Sequence, residues 1–360
     1  MKHLKVNKMP VSVAPSESGV VVYNNGVKIL LDPHKEATGD VMFFSHAHTD
    51  HLIRRTKKNT SCTFKILASK ATSYLARARG IIIGLNDSQE SCDGYELIDT
   101  CHVLGSRGLL VGDNLYYTGD ISIRQRGFMN GALIPKVHTL IIESTFGKPK
   151  YVFPSVNEVV HKTNKIIAEM FDRGVSVLLL GYPLGKAQLL TQLFRYWEPL
   201  YIDDSVEKIN AIYREFGVKL KEGVIASTAE DIGLLSKSSP WVMIGPLIPS
   251  RASDYIKYIK ERYRAVTIGF SGWALDNNYR YMMGLDYAMP LSDHCDYEEL
   301  VEIVKRSQAS KIYTFHGFST EFARSLKRLG FDAQPVTRCG KQIQLPNDSL
   351  NLSLDLFINK

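Results

Sequence analysis

In the first half of the chain the apolar positions fall in short blocks separated by polar turns. Val20-Val21-Val22-Tyr23 and the run Val27 to Leu31 flank Asn24-Asn25-Gly26, a hairpin signal, so the pattern predicts strand–turn–strand from Gly19 to Asp32. Val41-Met42-Phe43-Phe44 has no polar position and predicts a short strand buried on both faces. Further strands are expected over Leu97–Val103, Leu109–Val111, Leu115–Tyr117 and Leu140–Ile142, with Asp113-Asn114 turning the middle pair. So many short strands with polar turns predict sheets packed face to face.

Beyond Gly147 the periodicity changes. Ser155 to Phe171 reads as an amphipathic helix opened by a capping box of Ser155 and Glu158. Val175–Leu180 then predicts a buried strand and Gly185 to Trp197 a helix. The alternation runs on to Val266–Phe270, a pattern that builds a parallel sheet. Near the C-terminal end come a helix over Tyr297–Arg306, a strand over Lys311–Phe315 and a helix over Thr320–Leu329. The class is α/β, with no internal repeat.

Composition narrows this only slightly. With 360 residues, 44% of them hydrophobic and 22% charged, the chain is neither disordered nor fibrous, and its length suits two domains or one carrying an insertion. It lacks the run of about 18 apolar residues that a membrane-spanning helix needs. Met1-Lys2-His3-Leu4-Lys5 does not open a signal peptide, so a cytoplasmic protein with no membrane partner is expected. The five cysteines are odd in number and contain no C-x-x-C, which argues against a disulfide framework and against a cysteine-rich zinc site.

Charge is more informative, because it is local. The formal net charge is +7, yet Leu52 to Asn86 alone holds Arg54, Arg55, Lys57, Lys58, Lys65, Lys70, Arg77 and Arg79 and not one Asp or Glu. A solvated helix face usually mixes signs, so unopposed cations suggest a phosphate-contacting surface, with Arg54, Arg55, Lys57 and Lys58 as candidate nucleic-acid-binding residues. A charged face turned to solvent is the alternative. The densest chemistry lies just before this segment, in Ser45-His46-Ala47-His48-Thr49-Asp50-His51. Imidazole nitrogen and carboxylate oxygen suit zinc and similar divalent ions, and in an extended segment His46 and His48 point to the same side.

His46-Ala47-His48-Thr49-Asp50-His51 resembles the signature of the metallo-β-lactamase fold. In the order that family follows, Cys101-His102 supplies a further histidine and Thr118-Gly119-Asp120 the bridging aspartate. Asp32 resembles the early aspartate that orients the metal loop from behind. Ile141-Ile142-Glu143-Ser144-Thr145-Phe146-Gly147 resembles motif A of the β-CASP nucleases, a branch of that family acting on nucleic acids. Leu291-Ser292-Asp293-His294 resembles motif B and Thr314-Phe315-His316-Gly317 motif C, while Val177 to Gln188 looks like the opening of the branch's inserted cap. The strings Glu143 to Pro149 and Ser271-Gly272-Trp273-Ala274 are most similar to the ligase-associated exonuclease and mRNA 3′-end processing factor-like group. A histidine at motif C is commoner among RNA-processing members, but Phe318 stands where those often have glutamate, so the sugar preference stays open.

The resemblance implies a metallo-β-lactamase αββα sandwich from residues 1–147 and 288–360, with a β-CASP domain, a parallel α/β sheet, inserted over 148–287. It implies two Zn2+ ions, or Mn2+ in their place: one at His46, His48 and His102, one at Asp50, His51 and His316, with Asp120 between them. Such a pair holds a bridging hydroxide for attack on phosphorus. His294 is then the candidate general acid, oriented by Glu143, and Asp50 a catalytic carboxylate as well as a ligand. The implied activity is a zinc nuclease, an exonuclease on single-stranded RNA or DNA in RNA processing or DNA repair, working as a homodimer or with complex partners. Trp273 stacks a base or packs in the core. Two rival classes share the core: a hydrolase of small esters or thioesters, and a non-catalytic processing-complex subunit.

Overall fold

The computed structural model describes residues 11–16, 19–35, 38–53, 65–81, 89–235, 239–247 and 252–336. Five strands, β1 (Ser12–Ser16), β2 (Gly19–Asn24), β3 (Val27–Leu31), β4 (Val41–Phe43) and β5 (Lys65–Leu67), form a sheet in that order. Its first three strands are antiparallel and the β3–β4–β5 part is parallel. The helix α1 (Lys70–Ala78) follows. A second sheet takes β6 (Ser91–Cys92), β7 (Tyr95–Asp99), β8 (Arg107–Val111), β9 (Leu115–Tyr117) and β10 (Thr139–Glu143).

The next 146 positions of chain, up to Met289, build a third sheet. Its strands are β11 (Val177–Gly181), β12 (Leu200–Ile202), β13 (Val224–Ile225), β14 (Val242–Pro246), β15 (Val266–Phe270) and β16 (Tyr287–Met289). They are parallel throughout, in the order β13-β12-β14-β11-β15-β16. Around them lie α2 (Val156–Asp172), α3 (Lys186–Leu193), α4 (Asp204–Glu215), α5 (Ala226–Asp231), α6 (Ala252–Tyr263) and α7 (Tyr279–Met282). The chain then returns through α8 (Tyr297–Ser307), β17 (Lys311–Phe315), α9 (Ser319–Arg328) and β18 (Ala333–Pro335) to complete the second sheet as β18-β17-β10-β9-β8-β7-β6.

The core explains the layering. Val20, Val22, Ile29, Leu31, Val41 and Phe43 of the first sheet meet Leu109, Val111, Tyr117, Ile141 and Phe315 of the second in one buried cluster, so the two sheets pack face to face. The outer face of the second sheet (Tyr116, Leu140, Ile142, Ile312) is covered by Leu300, Ile303 and Val304 of α8 and Phe322 and Leu326 of α9. That of the first (Val21, Leu30, Met42) is covered by Leu75 and Ala76 of α1. The third sheet is apolar on both faces, Leu178 and Leu180 one way and Val177 and Leu179 the other, as a parallel sheet between helices requires.

Among the element boundaries that differ from the sequence reading, three have a visible cause. The strand expected over Leu97–Val103 stops at Asp99, because Cys101 adopts a left-handed backbone (φ 53°) that no strand can continue. The helix expected to reach Trp197 stops at Leu193. Trp197 turns away to donate its indole N–H to Asn164 at 2.9 Å and to pack on Phe171, which takes the chain off the helix axis. The strand expected from Val175 begins two residues later, at Val177, since Val175 is still closing the end of α2 through its N–H to Met170. By contrast α2 carries both halves of the Ser155–Glu158 capping box. No described helix is long and apolar enough to cross a membrane. Cys92, Cys101 and Cys295 are free thiols, and Cys62 and Cys339 lie outside the described residues.

Candidate metal centre

Strand direction decides where the chemistry collects. β9, β10 and β17 run parallel and in register, so the residues that follow each of them emerge at the same edge of the sheet. Asp120 follows β9, Glu143 ends β10 and His316 follows β17. In the facing sheet β3 and β4 are also parallel, and Asp32 follows one while His46 follows the other. The Thr118-Gly119-Asp120 turn fits against the histidine loop only because Gly119 (φ 54°) has no side chain; a Cβ there would lie 2.6 Å from that of Ser45.

Within this edge the ring nitrogens converge. His46 Nε2 lies 2.9 Å from His48 Nδ1, and His48 Nδ1 lies 3.2 Å from His102 Nε2. Asp120 Oδ2 is 3.4 Å from His46 Nε2, 3.7 Å from His102 Nε2 and 3.4 Å from His51 Nε2, while its Oδ1 is 3.7 Å from His316 Nδ1. Asp50, His51 and His316 form an adjoining group, with Asp50 Oδ2 3.8 Å from His51 Nε2. All seven side chains proposed as ligands from the sequence are therefore brought into one place.

The donor set can be tested for fit to a cation. The outward nitrogens of four rings already have partners: Ser45 Oγ for His46 (2.9 Å), the Leu184 carbonyl for His48 (3.2 Å), the Asp293 carbonyl for His102 (3.0 Å) and Asp32 Oδ2 for His51 (2.8 Å). A carbonyl only accepts, so the outward nitrogens of His48 and His102 carry the protons and their inward nitrogens present lone pairs to each other. Burial lowers the His48 imidazole and holds those of His46 and His102 well below the ordinary range, which favours the neutral, ligating form. His51 Nε2 and Asp120 Oδ1 are buried with no hydrogen-bond partner. Lone pairs aimed at one another and orphaned buried atoms are what divalent cations resolve, and nitrogen with carboxylate oxygen is a fitting set.

Asp32 holds this arrangement from behind. Its carboxylate accepts from the Ser45 N–H and hydroxyl (2.6 Å each), from Tyr117 OH (2.7 Å) and from His51. On the other side His294 Nδ1 sits 3.0 Å from both oxygens of Glu143, a fully buried carboxylate that also accepts from the Ile121 N–H (2.8 Å) and the Thr145 hydroxyl. Burial alone would lower the His294 imidazole, but Glu143 and then Asp120 outweigh it and push it up to about 9. The His294 ring lies 4.5 Å from that of His102.

A cleft of about 390 Å³ opens over the centre, lined by Asp50, Arg79, Tyr182, Trp273, His294 and His316 among others. Trp273 packs against Phe146, Tyr151 and Phe318 while also facing this cleft. Of the cations in the basic segment, Arg54, Arg55, Lys57 and Lys58 lie outside the described residues. Arg79 reaches the cleft and bonds the Ala47 carbonyl of the histidine loop.

Sequence reasoning missed one ionic group, although Asp293 and Lys186 each lay inside a string it had singled out. Asp293 Oδ1 accepts from Arg126 (2.8 Å) and from Lys186 Nζ (2.8 Å), and all three side chains are buried. Burial pushes the Lys186 ammonium down to about 8 against the pull of Asp293. Nothing in the texture around Arg126 marks it. Lys186 could have been noticed as a lone charge opening an apolar helix.

No family model matches the chain. It is 32% identical over 308 residues to a probable DNA ligase of Opitutus terrae, a match covering 82% of this chain and 28% of that protein. To transcription termination factor FttA of Methanocaldococcus jannaschii it is 25% identical over 296 residues, covering 63% of this chain and 46% of that one. To an RNase J-like protein of the same organism it is 22% identical over 266 residues, 62% and 63% of the two chains. The chain thus spans less than two thirds of the length of each of these relatives.

Proposed function

The chain belongs to the β-CASP branch of the metallo-β-lactamase proteins, and from that premise we propose that it is a metal-dependent phosphodiesterase of nucleic acid. In this reading it is an exonuclease acting on single strands in RNA processing or DNA repair. One observation carries it: His46, His48, His102 and Asp120 form one ligand group and Asp50, His51 and His316 a second, five of these seven line a cleft, and the His294–Glu143 pair stands beside them. Residues 1–147 and 288–360 are assigned to the metallo-β-lactamase αββα sandwich, and 148–287 to the inserted β-CASP domain. Two of the relatives are named for RNA-linked roles, RNase J and transcription termination, and one for DNA ligation, so both nucleic acids enter the test.

His46, His48 and His102 would hold one divalent ion and Asp50, His51 and His316 a second, with Asp120 shared between them. Zinc suits such an imidazole-rich set, with manganese as the second choice. Ions bound there would supply Lewis acidity toward a phosphodiester and bring the ionisation of water toward neutral pH. The protein's own part is proton and position. Glu143 keeps His294 protonated at neutral pH and occupies its Nδ1, which leaves Nε2 as the atom facing the cleft to donate to the departing oxygen. The Ile121 N–H and Thr145 hydroxyl keep Glu143 from turning away. Asp50, part-exposed at the cleft, serves as a carboxylate toward substrate as well as a ligand.

The test uses labelled single-stranded RNA and DNA of one sequence, with 5′ or 3′ ends blocked, incubated with zinc or manganese. Chelator-sensitive cleavage that one end block abolishes is expected. Absence of cleavage of either strand by metal-loaded protein, or cleavage indifferent to chelator, would overturn the proposal.

A further inference from the structure

A buried ionic group ties the third sheet to the metal centre. Lys186 is the first residue of α3, and its ammonium reaches out of that layer to Asp293 Oδ1. The same carboxylate oxygen is gripped by Arg126, whose other terminal nitrogen donates to the Cys101 carbonyl at 2.7 Å. Asp293 in turn offers its main-chain carbonyl to His102 Nδ1. Its two chain neighbours join the same unit: Arg126 approaches the Ser292 carbonyl at 3.4 Å, and the His294 N–H donates to Ser292 Oγ at 3.0 Å. The loops carrying His102 and His294 are thus clamped together around one carboxylate.

The approach of the third sheet is itself built for this contact. Gly185 sits at φ 93°, and a Cβ on it would lie 2.4 Å from Val103 Cγ1, so only glycine lets the start of α3 come so close to the His102 loop. One residue earlier the Leu184 carbonyl accepts from His48 Nε2. Three consecutive residues of one segment therefore bear on two of the histidines that face the centre. His48 is touched directly, and His102 is reached through Lys186 and Asp293.

The charges are arranged as a set. Two buried cations share one buried carboxylate, leaving a net positive group that is costly to bury, and Arg126 Nε has no hydrogen-bond partner in it. Packing alone would be served better by an apolar residue at 186. The ammonium is needed where the position of the Asp293 carbonyl has to be held, because that carbonyl fixes which nitrogen of His102 carries the proton.

We propose that Lys186 is a positioning residue through which docking of the third sheet sets the metal-binding geometry of His102, acting by way of Asp293. This rests on the metal-centre reading above. The test is a competition titration of zinc against a chromophoric chelator, on the full chain, for wild type, Lys186→Met and Lys186→Arg, with circular dichroism to confirm folding. Loss of an outer partner of a ligating histidine costs about 10–100-fold in metal affinity; Lys186 acts one step further out and Arg126 still holds Asp293, so Lys186→Met should weaken zinc by about 10-fold, the lower end of that range, and Lys186→Arg should stay within about threefold of wild type. Equal affinity of Lys186→Met and wild type, or an arginine variant as weak as the methionine one, would overturn the proposal. Wild type binding no zinc would instead overturn the metal-centre reading. Should Lys186→Met fail to fold, Lys186→Gln, which keeps a donor but not the charge, is titrated in its place with the same two decisive outcomes.

Discussion

Replacing Asp32 with Asn is the sharpest test of how the centre is held. The position has φ 44°, a left-handed backbone that Asn tolerates, whereas Ala would add strain and confuse the result. The native carboxylate accepts four bonds: the Ser45 N–H on Oδ1, and the Ser45 hydroxyl, Tyr117 hydroxyl and His51 Nδ1 on Oδ2. In the better of its two orientations the amide keeps an oxygen at the Oδ2 position and turns its NH2 toward the Ser45 N–H, donor against donor. Orphaning that buried N–H costs about 1–3 kcal/mol, and reducing the other bonds from charge-assisted to neutral costs up to about 1 kcal/mol each. The total, roughly 1–6 kcal/mol, reaches a large share of the stability of an ordinary domain. Urea denaturation of the metal-free protein measures it. A zinc competition titration reads the second consequence, since His51 loses its carboxylate partner and the centre should weaken by about 10–100-fold. A variant within about 1 kcal/mol of wild type and with unchanged zinc affinity would refute the claim that Asp32 aligns the histidine loop.

Other consequences can be measured alongside. His294→Ala should leave zinc content unchanged and lower phosphodiester cleavage by about 10²–10⁴-fold; an unaltered rate removes its role as acid. In the metal-free protein the His294 ring should titrate at about 9 by NMR, and Glu143→Gln should move it downward. Because that value is raised, the stability the pair contributes is complete below the ordinary imidazole value and is lost as pH climbs through about 9; a ring titrating near 6.5 in wild type would contradict this. Neutralising Arg54, Arg55, Lys57 and Lys58 together should weaken binding of a single-stranded oligonucleotide and flatten its salt dependence by up to about 0.7 in the log–log slope per lost phosphate contact, with zinc content unchanged. An unchanged slope would assign that segment to solvent.

What could be read from the sequence was the part written in consecutive residues. The strand pair around Asn25-Gly26, the capping box at Ser155 and the ligand-rich string His46 to His51 each carry their signal locally, because turn chemistry, helix capping and metal ligation all act over a few positions. His102 and Asp120 needed the order of motifs to be singled out. The Arg126–Asp293–Lys186 group was out of reach, since its members are 60 and 107 residues apart and meet only when two loops and the start of α3 have come together. Asp293 lay inside a recognised string, but a string does not reveal which cations will converge on it.

The backbone at the centre explains why element boundaries were hardest to read there. Among the described residues six that are not glycine have left-handed φ, and three of them, Asp32, Cys101 and His316, belong to or adjoin the candidate site. Each follows a strand: β3, β7 and β17. A left-handed residue ends the pleat and turns the next side chains out of the sheet plane, so that residues leaving strands of two different sheets can point at one place. Hydrophobic alternation does not register that event. It continued the strand from Leu97 through His102 to Val103, whereas the chain bends at Cys101, where the Asp99 carboxylate accepts from the Cys101 N–H at 2.8 Å and Arg126 holds its carbonyl. The bend carries His102 to the centre, and the polar groups that hold it are distributed over distant parts of the chain. Strain of this kind persists only when its surroundings over-determine it, and here the surroundings are the same residues that orient the histidines.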